Sequence, residues 1–379
     1  MEKYITYKEQ RLEGRHVKLS NIEPLLKELA LDYKLEIKGW SEKGRPIYFL
    51  KVGTGKKKIL LWSQMHGNES TTTRALFDLL NTIKNSSETI VTQILESCTL
   101  YIFPMLNPDG AEVYTRINGN EVDLNRDAQN CSQCEMQVFI KTLRELQPDL
   151  ALNLHGQRTI FSAGQTNNIA TVSFLSAAGD LERSITPSRR VAMKLIAQMN
   201  DTLQHLIPNS VGRYDDSFNL NCTGDTIEDM GIPGILFEAG HYENDYEREK
   251  VRYYIYRSLL TCLSHFAIHG NSTDGYEKYF DIPENGKCFN DIIIRNITIQ
   301  GEIKDIALQY EEKLIEGELC FIPKVFSIQP NIAEFGHLEI DAKHEKVSFD
   351  VHCNDLIIDN KIGFIQINDE KFSVFPIYR

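Results

Sequence analysis

Two histidines and two glutamates stand at points of the chain where apolar runs end. His66 and Glu69 are three residues apart in LLWSQMHGNES, His155 ends the run LALNL, and Glu238 follows GILF. Histidine and glutamate are ligands of catalytic zinc, which takes three protein ligands and leaves one position for water. Just past a strand, His66 and Glu69 can turn toward one point, and His155 is the candidate third ligand. The sequence therefore predicts one zinc ion bound by His66, Glu69 and His155.

Glu238 is the carboxylate that this predicted ligand set leaves free. A water molecule on zinc has its pKa lowered to roughly 7. A base must still take its proton and pass it to a leaving group. A carboxylate in an apolar strand is costly to bury without a task. Glu238 is therefore the candidate general base.

The elements that must position these residues alternate between strands and helices. Strands are predicted in EIKGWSEKGRPIYFLKVG, KILLWSQ, CTLYIFPML, DLALNLHG and IPGILFEAG. Helices are predicted in TTTRALFDLLNTI, CEMQVFIKTLRELQP, SRRVAMKLIAQMNDTLQHLI and DYEREKVRYYIYRSLLTCLSHFAI. Such alternation indicates an α/β fold with a mixed, mostly parallel central sheet flanked by helices. Ligands bind at the carboxyl ends of strands in such sheets, where these side chains are expected.

The pattern changes after about residue 270. HGNSTDG is typical of a loop, and from DIIIRNITIQGEI onward short β-rich runs alternate with turns. We therefore predict a catalytic domain over residues 1–275 and a small all-β domain over residues 285–379.

Composition limits the class of protein. Among 379 residues, 42% are hydrophobic and 25% are charged, which is ordinary for a globular protein. The net charge of −12 argues against binding to nucleic acid or to an anionic membrane. The N-terminus has no apolar segment typical of secretion, and eight scattered cysteines suit free thiols. A cytoplasmic location is expected, while the oligomeric state is not readable.

Five motifs in order resemble the zinc metallocarboxypeptidases of the carboxypeptidase A type, in their intracellular or bacterial branch. They are HGNE, the NPDG turn, VDLNR, a single histidine after a strand and a late FE, spread over roughly residues 33–265. The resemblance implies a zinc peptidase that hydrolyses the C-terminal amide bond of a peptide or peptide-like substrate. It makes His66, Glu69 and His155 the metal ligands and Glu238 the general base and acid.

The same resemblance implies roles for four further residues. Arg116 would polarise the scissile carbonyl and stabilise the oxyanion. Asn125 and Arg126 would bind the free carboxylate of the substrate, with Arg126 donating two parallel hydrogen bonds to it. Asp123 would accept a hydrogen bond from a ligand histidine and fix its tautomer.

The chain departs from the digestive members at two places. Asn68 stands where they carry an arginine in the first motif, and Asp225 best matches the acidic residue of their specificity segment. Counting back from Asp225 to the position of their tyrosine reaches Ser217, whereas Tyr214 is out of register. No tyrosine is assigned a role.

Other readings remain open. A related zinc amide hydrolase, either a deacylase of N-acyl amino acids or an amidase of cell-wall peptides, uses the same metal ligands. A catalytically silent relative could use the pocket or the C-terminal domain for binding. The CSQC segment at residues 131–134 lacks a second cysteine pair, and His265 and His269 lie near the end of a predicted helix. We interpret both as structural.

Overall fold

An eight-stranded sheet with helices on both faces makes up the larger part of the protein. The computed structural model describes residues 2–345, 347–349, 356–368 and 370–376. The elements up to residue 281 are called the α/β unit and those over residues 285–376 the β unit.

The α/β unit contains strands and helices in alternation. Its strands are β1 Lys34–Trp40, β2 Pro46–Val52, β3 Lys57–Ser63, β4 Cys98–Phe103, β5 Leu150–Gly156, β6 Ser162–Ala163, β7 Val172–Leu175, β8 Val211–Arg213 and β9 Gly234–Ala239. Its helices are α1 Glu2–Tyr7, α2 Leu19–Leu29, α3 Thr71–Asn85, α4 Thr89–Ser97, α5 Pro108–Glu112, α6 Cys134–Leu146, α7 Pro187–Gln204, α8 Thr223–Asp229 and α9 Glu249–His269, with 3₁₀ turns at Leu124–Arg126 and Tyr276–Asp281.

The strand order of the large sheet brings three strand ends together. The order is β1-β2-β4-β3-β5-β9-β7-β8. The four central strands β4, β3, β5 and β9 run parallel, and the antiparallel pairs are β1–β2, β2–β4 and β9–β7. The carboxyl ends of β3, β5 and β9 therefore lie side by side at one edge.

Two apolar clusters hold the helices on opposite faces of this sheet. One cluster packs Phe77 of α3, Met193 of α7 and Ile255 of α9 against it. The other packs Met136 and Phe139 of α6 against the other face. The central strands are therefore covered on both sides, which explains their continuous apolar sequences. The predicted α/β fold with its mixed, mostly parallel sheet is confirmed.

In its described residues the β unit contains strands and no helix. They are β10 Asn285–Gly286, β11 Phe289–Ile299, β12 Glu302–Ile315, β13 Glu318–Gln329, β14 Phe335–Asp341, β15 Val347–Phe349, β16 Phe364–Ile367 and β17 Glu370–Ser373. One sheet has the order β13-β12-β11-β14 and another the order β15-β16-β17. Ile292, Ile306 and Val325 of the first sheet share an apolar cluster with Phe349 and Ile365 of the second.

The two units are joined close to the edge where β5 ends. Strand β10 pairs with β6, which follows β5 along the chain. The backbone N–H of Phe289 donates to the carbonyl of Ile160 at 3.1 Å. Residues 350–355 and 377–379, which the sequence prediction included in the C-terminal domain, lie outside the described residues.

Candidate metal centre

The three predicted metal ligands lie together at the carboxyl edge of the sheet. His66 follows the end of β3, and His155 lies near the end of the adjacent β5. A turn in which the Glu69 N–H donates to the His66 carbonyl at 3.1 Å folds the Glu69 side chain back toward His66. One candidate ligand atom from each of these residues lies within 4.8 Å of the others.

The contacting atoms identify which groups face one another. His66 Nδ1 lies 2.8 Å from Glu69 Oε1 and 3.1 Å from His155 Nδ1. His155 Nδ1 lies 2.9 Å from Glu69 Oε2. Burial alone would raise the pKa of Glu69, but the two imidazoles outweigh it and hold the pKa well below its usual range.

This donor set fits a divalent metal ion. His66 Nε2 lies 3.1 Å from an oxygen of Asp123, a carboxylate that only accepts, so in the neutral imidazole this nitrogen carries the proton. His66 Nδ1 is then an acceptor that faces another acceptor, the Glu69 carboxylate oxygen, at 2.8 Å. A cation satisfies all these lone pairs at once, and two imidazoles with one carboxylate are ligands that zinc takes.

Asp123 and Arg116 surround the ligand group. Besides His66, Asp123 accepts from Arg116 Nε at 2.9 Å. Arg116 Nη1 lies 3.5 Å from Glu69 Oε1, while 46% of the Arg116 side chain remains exposed. The arginine therefore reaches the ligands from the solvent side and keeps donors available.

Glu238 lies beside the ligand group on the next strand. In the parallel pairing of β5 with β9, Glu238 is opposite His155. Its Oε2 is buried and has no hydrogen-bond partner among the described residues. Burial, followed by repulsion from Glu69, raises the pKa of Glu238 well above its usual value, against the opposing charges of Arg116 and Arg248.

Asn125 and Arg126 lie on the short helical turn that Asp123 begins. The Asp123 carboxylate accepts from the backbone N–H of Asn125 at 2.9 Å, and Asn125 Oδ1 accepts from the N–H of Thr223 at 3.0 Å. Arg126 is exposed and donates to the Asn125 carbonyl at 2.8 Å. Both residues line the same cavity as the ligand group.

All the predicted site residues except Asp123 line a cavity of about 700 Å³. It also includes Arg15, Tyr214 and Arg248, to which the sequence reasoning gave no role. Burial and the charge of Glu238 raise the pKa of Tyr214. Tyr214 directly follows β8. No local sequence pattern distinguishes Arg15 or Arg248, and only the fold brings these two residues to the cavity.

Asp225, the match to the specificity segment, is another wall residue of this cavity. Burial raises its pKa to about 6, against the opposing effects of the Asn219 N–H and the charge of Arg126. Ser217, at the position counted back from Asp225, also lines the cavity.

The other candidate motifs remain separate from this centre. Cys131 and Cys134 are free thiols. Within the described residues, His66, Glu69 and His155 form the single group of three or more possible metal ligands. No helix in the described part of the chain is both long enough and apolar enough to span a membrane.

Comparisons with solved structures show the same fold. The metallo-carboxypeptidase from Burkholderia cenocepacia superposes with a TM-score of 0.54 at 17% identity, covering 66% of this chain and 69% of that one. The carboxypeptidase A from Helicoverpa armigera has a TM-score of 0.54 at 16% identity, covering 72% of this chain and 80% of that one.

Comparisons of sequence identify the family. Mouse (Mus musculus) carboxypeptidase M is 26% identical over 224 residues, which are 52% of this chain and 47% of that protein, so the chain spans about half the length of this relative. Residues 25–211 match the family model described as zinc carboxypeptidase. That segment carries His66 and His155 near the ends of β3 and β5, Glu69 in the turn after His66, and Asp123 at the start of the 3₁₀ turn. The chain belongs to the zinc carboxypeptidase family.

Proposed function

We propose that this protein is a zinc-dependent carboxypeptidase that removes the C-terminal residue from a peptide or peptide-like amide. The observation that carries this proposal is the convergence of His66, Glu69 and His155 to within 4.8 Å, with Glu238 opposite His155 on the next strand. These three residues would hold one zinc ion.

Glu238 is the proposed general base and acid. The chemistry that zinc supplies when bound is Lewis acidity, which polarises the scissile carbonyl and makes a water molecule acidic enough to react near neutral pH. Glu238 takes the proton of that water and donates it to the leaving amine. Its buried Oε2, without a partner among the described residues, supports this assignment because the atom is available to the reacting groups.

Arg116 is the proposed donor to the oxyanion. Its guanidinium is fixed by Asp123 through Nε at 2.9 Å. Arginine suits this role because its planar group offers several N–H donors in a fixed geometry. The terminal nitrogens, on the half-exposed part of the side chain, remain able to donate to a developing negative charge. A positioned donor of this kind stabilises the transition state more than the ground state.

Asn125 and Arg126 are the proposed anchor for the terminal carboxylate. Arg126 is exposed in the cavity and offers two parallel N–H donors, which match the two oxygens of a carboxylate. The anchor makes the enzyme an exopeptidase, because a chain without a free carboxylate at this point loses both contacts.

The proposal assigns catalysis to a domain over residues 1–275 and treats residues 285–379 as a second domain. The separate apolar cluster of the β unit, which includes Ile294, Leu308 and Ile365, supports this division. We also propose a cytoplasmic location. The seven described cysteines are free thiols, which is typical of proteins in reducing compartments.

The carboxylate anchor is tested with paired substrates. We expect the zinc-loaded protein to cleave a peptide with a free C-terminus at least about tenfold faster, by kcat/KM, than its amidated form, since charged hydrogen bonds contribute this much. Arg126→Ala should bring the ratio close to one. Zinc content is measured on the same samples by atomic absorption.

Arg144→Ala serves as the matched control because Arg144 is exposed on α6, away from the cavity lining. It should keep the wild-type preference. Equal turnover of free and amidated peptides by the wild-type protein would contradict the carboxypeptidase assignment and favour another amide hydrolase.

A further inference from the structure

We propose that Tyr310 of the β unit forms the binding surface for the substrate group on the amino side of the scissile bond, and that this group is uncharged and apolar. The inference rests on the proposed function, because it takes the carboxylate anchor as one end of the bound substrate. Tyr310 lies on β12, outside the segment that matches the family model.

The β unit supplies part of the wall of the catalytic cavity. Asp291, Tyr310, Glu312 and Phe321 line the same cavity as His66 and the other candidate ligands. Tyr310 and Glu312 are two residues apart on β12, so both side chains are on the same face of that strand. Both residues line the cavity, while Ile306 and Leu308 farther along this face pack in the apolar cluster of the β unit.

The anchor and the β unit belong to different parts of the cavity wall. Asn125 accepts from the N–H of Thr223 at the start of α8. Arg248 instead donates to the Gln157 carbonyl at 2.6 Å, two residues past His155. The positive charge of Arg248 attracts the carboxylates of both Glu238 and Glu312 of the β unit.

The metal ligands set which bond of an anchored substrate reacts. A substrate whose terminal carboxylate is at Arg126 has its scissile carbonyl at the metal ligands and Glu238. The group before that bond must then lie against a part of the wall that the anchor does not occupy. Tyr310 belongs to such a part, since it lines the cavity and its ring is 5.1 Å from that of Tyr246, which also lines it.

The two carboxylates of this wall already have partners. Glu312 accepts both terminal nitrogens of Arg15, at 2.7 and 2.9 Å, and the hydroxyl of Tyr114 at 2.7 Å. Asp291 accepts from the Tyr246 hydroxyl at 2.9 Å and from the N–H of Tyr310 at 2.8 Å. Both terminal nitrogens of Arg248 donate to backbone carbonyls, and only its buried Nε lacks a partner among the described residues. A charged substrate group would have to compete with these contacts, so an uncharged group is favoured.

The surface that remains is aromatic. The rings of Tyr246, Tyr310 and Phe321 contact one another at centroid distances of 5.1, 5.6 and 6.0 Å, and Arg15 lies over Phe321 at 5.5 Å. The Tyr310 hydroxyl donates to the Val374 carbonyl at 2.9 Å. This bond fixes the ring, whose apolar surface is the part that a substrate can contact.

The wall is hydrogen-bonded to the segment that directly follows the strand carrying His155. Arg158 donates to the side chain of Gln309 at 2.6 Å, and His337 Nε2 lies 2.9 Å from the carbonyl of Thr159. Gln309 directly precedes Tyr310. The β unit is therefore fixed within a few residues of the metal ligand, as a specificity surface requires.

The test compares substrates that share one C-terminal residue and differ only in the group before the scissile bond. The groups are acetyl, N-acetylphenylalanyl, N-acetylaspartyl and N-acetyllysyl. For the wild type, kcat/KM should be highest for the phenylalanyl substrate. In Tyr310→Ala, the ratio of kcat/KM for phenylalanyl over acetyl should fall about five- to tenfold, since an aromatic contact is lost.

Tyr310→Phe is the matched control, since it keeps the ring and removes only the hydroxyl. It should retain the wild-type ratio. Tyr310→Leu replaces the alanine variant if thermal unfolding shows that the latter does not fold. An unchanged ratio in the folded variant, or an equal loss for all four substrates, would overturn the assignment of Tyr310.

A binding measurement separates this inference from the proposed function. In the Glu238→Gln background the same peptides are titrated by calorimetry, and Tyr310→Ala should raise Kd for the phenylalanyl peptide about five- to tenfold over that for the acetyl peptide. If wild-type protein cleaves none of the substrates while Kd shifts as expected, the proposed function fails and the binding surface stands. If cleavage occurs without the shift, the binding surface fails.

Discussion

Asp123 connects the candidate metal ligands to the candidate oxyanion donor. Its Oδ1 lies 3.1 Å from His66 Nε2 and accepts from the Asn125 N–H at 2.9 Å, while Oδ2 accepts from Arg116 Nε at 2.9 Å. Burial opposes its charge, but His66 and Arg116 hold its pKa below the usual range. One carboxylate thus orients three residues with different proposed roles.

Replacing this carboxylate with an amide should weaken metal binding without unfolding the protein. In Asp123→Asn the side chain keeps its shape but offers only one acceptor to His66 and Arg116. We expect the Kd for zinc to rise about 10- to 100-fold, the usual effect of losing a group that orients a metal ligand. Competition with a chromophoric chelator measures this Kd.

Asp229→Asn is the control for charge, because Asp229 is exposed at the end of α8. Its zinc affinity should equal that of the wild type. An equal affinity in Asp123→Asn as well would show that the His66 ring is oriented by the fold and not by this carboxylate.

At the scale of residues, motif spacing predicted the three candidate metal ligands but not several other residues that line the cavity. His66 and Glu69 belong to one short segment, and His155 and Glu238 each end a recognisable apolar run. Arg15, Arg248 and Tyr310 belong to no such pattern, and they reach the cavity only through long-range packing. Residues of this kind could not be predicted from local sequence.

At the scale of elements, the first motif and the NPDG turn pack backbone against backbone. A Cβ at Gly67 would lie 2.0 Å from the carbonyl carbon of Gly110 and 2.1 Å from the nitrogen of Ala111. The side chain of Asn107 holds the turn in place by accepting from the Gly110 N–H at 2.8 Å. Glycine at position 67 therefore allows helix α5 to support the loop between His66 and Glu69.

A methyl group at this contact should displace the metal-binding loop. We expect Gly67→Ala to lower the free energy of unfolding by about 2 kcal/mol or more, because neither backbone segment can yield easily. Zinc affinity should fall at least about tenfold, since the loop that carries His66 and Glu69 moves. Urea denaturation and chelator competition measure the two effects.

Gly234→Ala is the matched control on β9. A Cβ there meets Ile227 Cγ2 at 3.4 Å, which is an ordinary contact, although this strand also leads to Glu238. We expect stability and zinc affinity close to those of the wild type. Comparable behaviour of the two alanine variants would show that the loop tolerates displacement and that the backbone contact is not required.

Periodicity predicted the long elements of the fold well, since β3, β5, β9 and helices α3, α6, α7 and α9 each bury a continuous face. Strands β7 and β8 are only four and three residues long and were not predicted. Their neighbours in the sheet, and not their own sequences, determine their conformation. The strand order that places His155 opposite Glu238 is likewise a long-range property.

At the scale of the whole molecule, the interface between the two units contains buried imidazole rings. His241 is 1% exposed, and neither of its ring nitrogens has a partner among the described residues. Its ring lies 4.3 Å from that of His337 and 4.7 Å from that of Tyr246. Phe289 stacks on His337 at 4.6 Å. A charged His241 ring would be buried without an acceptor for either N–H, which is costly.

Burial determines how this region responds to pH. It lowers the pKa of His241 well below the usual value, and His337, Arg248 and Arg15 add repulsion. Burial also lowers the pKa of His337, with Asp291 opposing it. In the unfolded chain both rings take up a proton near pH 6.5. Below that pH the unfolded state binds more protons, so the free energy of unfolding falls as the pH falls.

Removing one of these rings should therefore reduce the loss of stability in acid. His241→Phe keeps an aromatic ring among aromatic neighbours and deletes two buried polar atoms. We expect its free energy of unfolding to fall less steeply than that of the wild type between pH 6.5 and pH 5.5, by up to about 1.4 kcal/mol per pH unit. Above pH 7.5 the two curves should run parallel, since His241 is then neutral in both states. Urea denaturation at each pH measures the difference.

His205→Phe, at an exposed position just past α7, is the control and should keep the wild-type slope. Identical slopes for wild type and His241→Phe would mean that His241 takes up a proton in the folded protein as readily as in the unfolded chain, so that the interface opens before the chain unfolds.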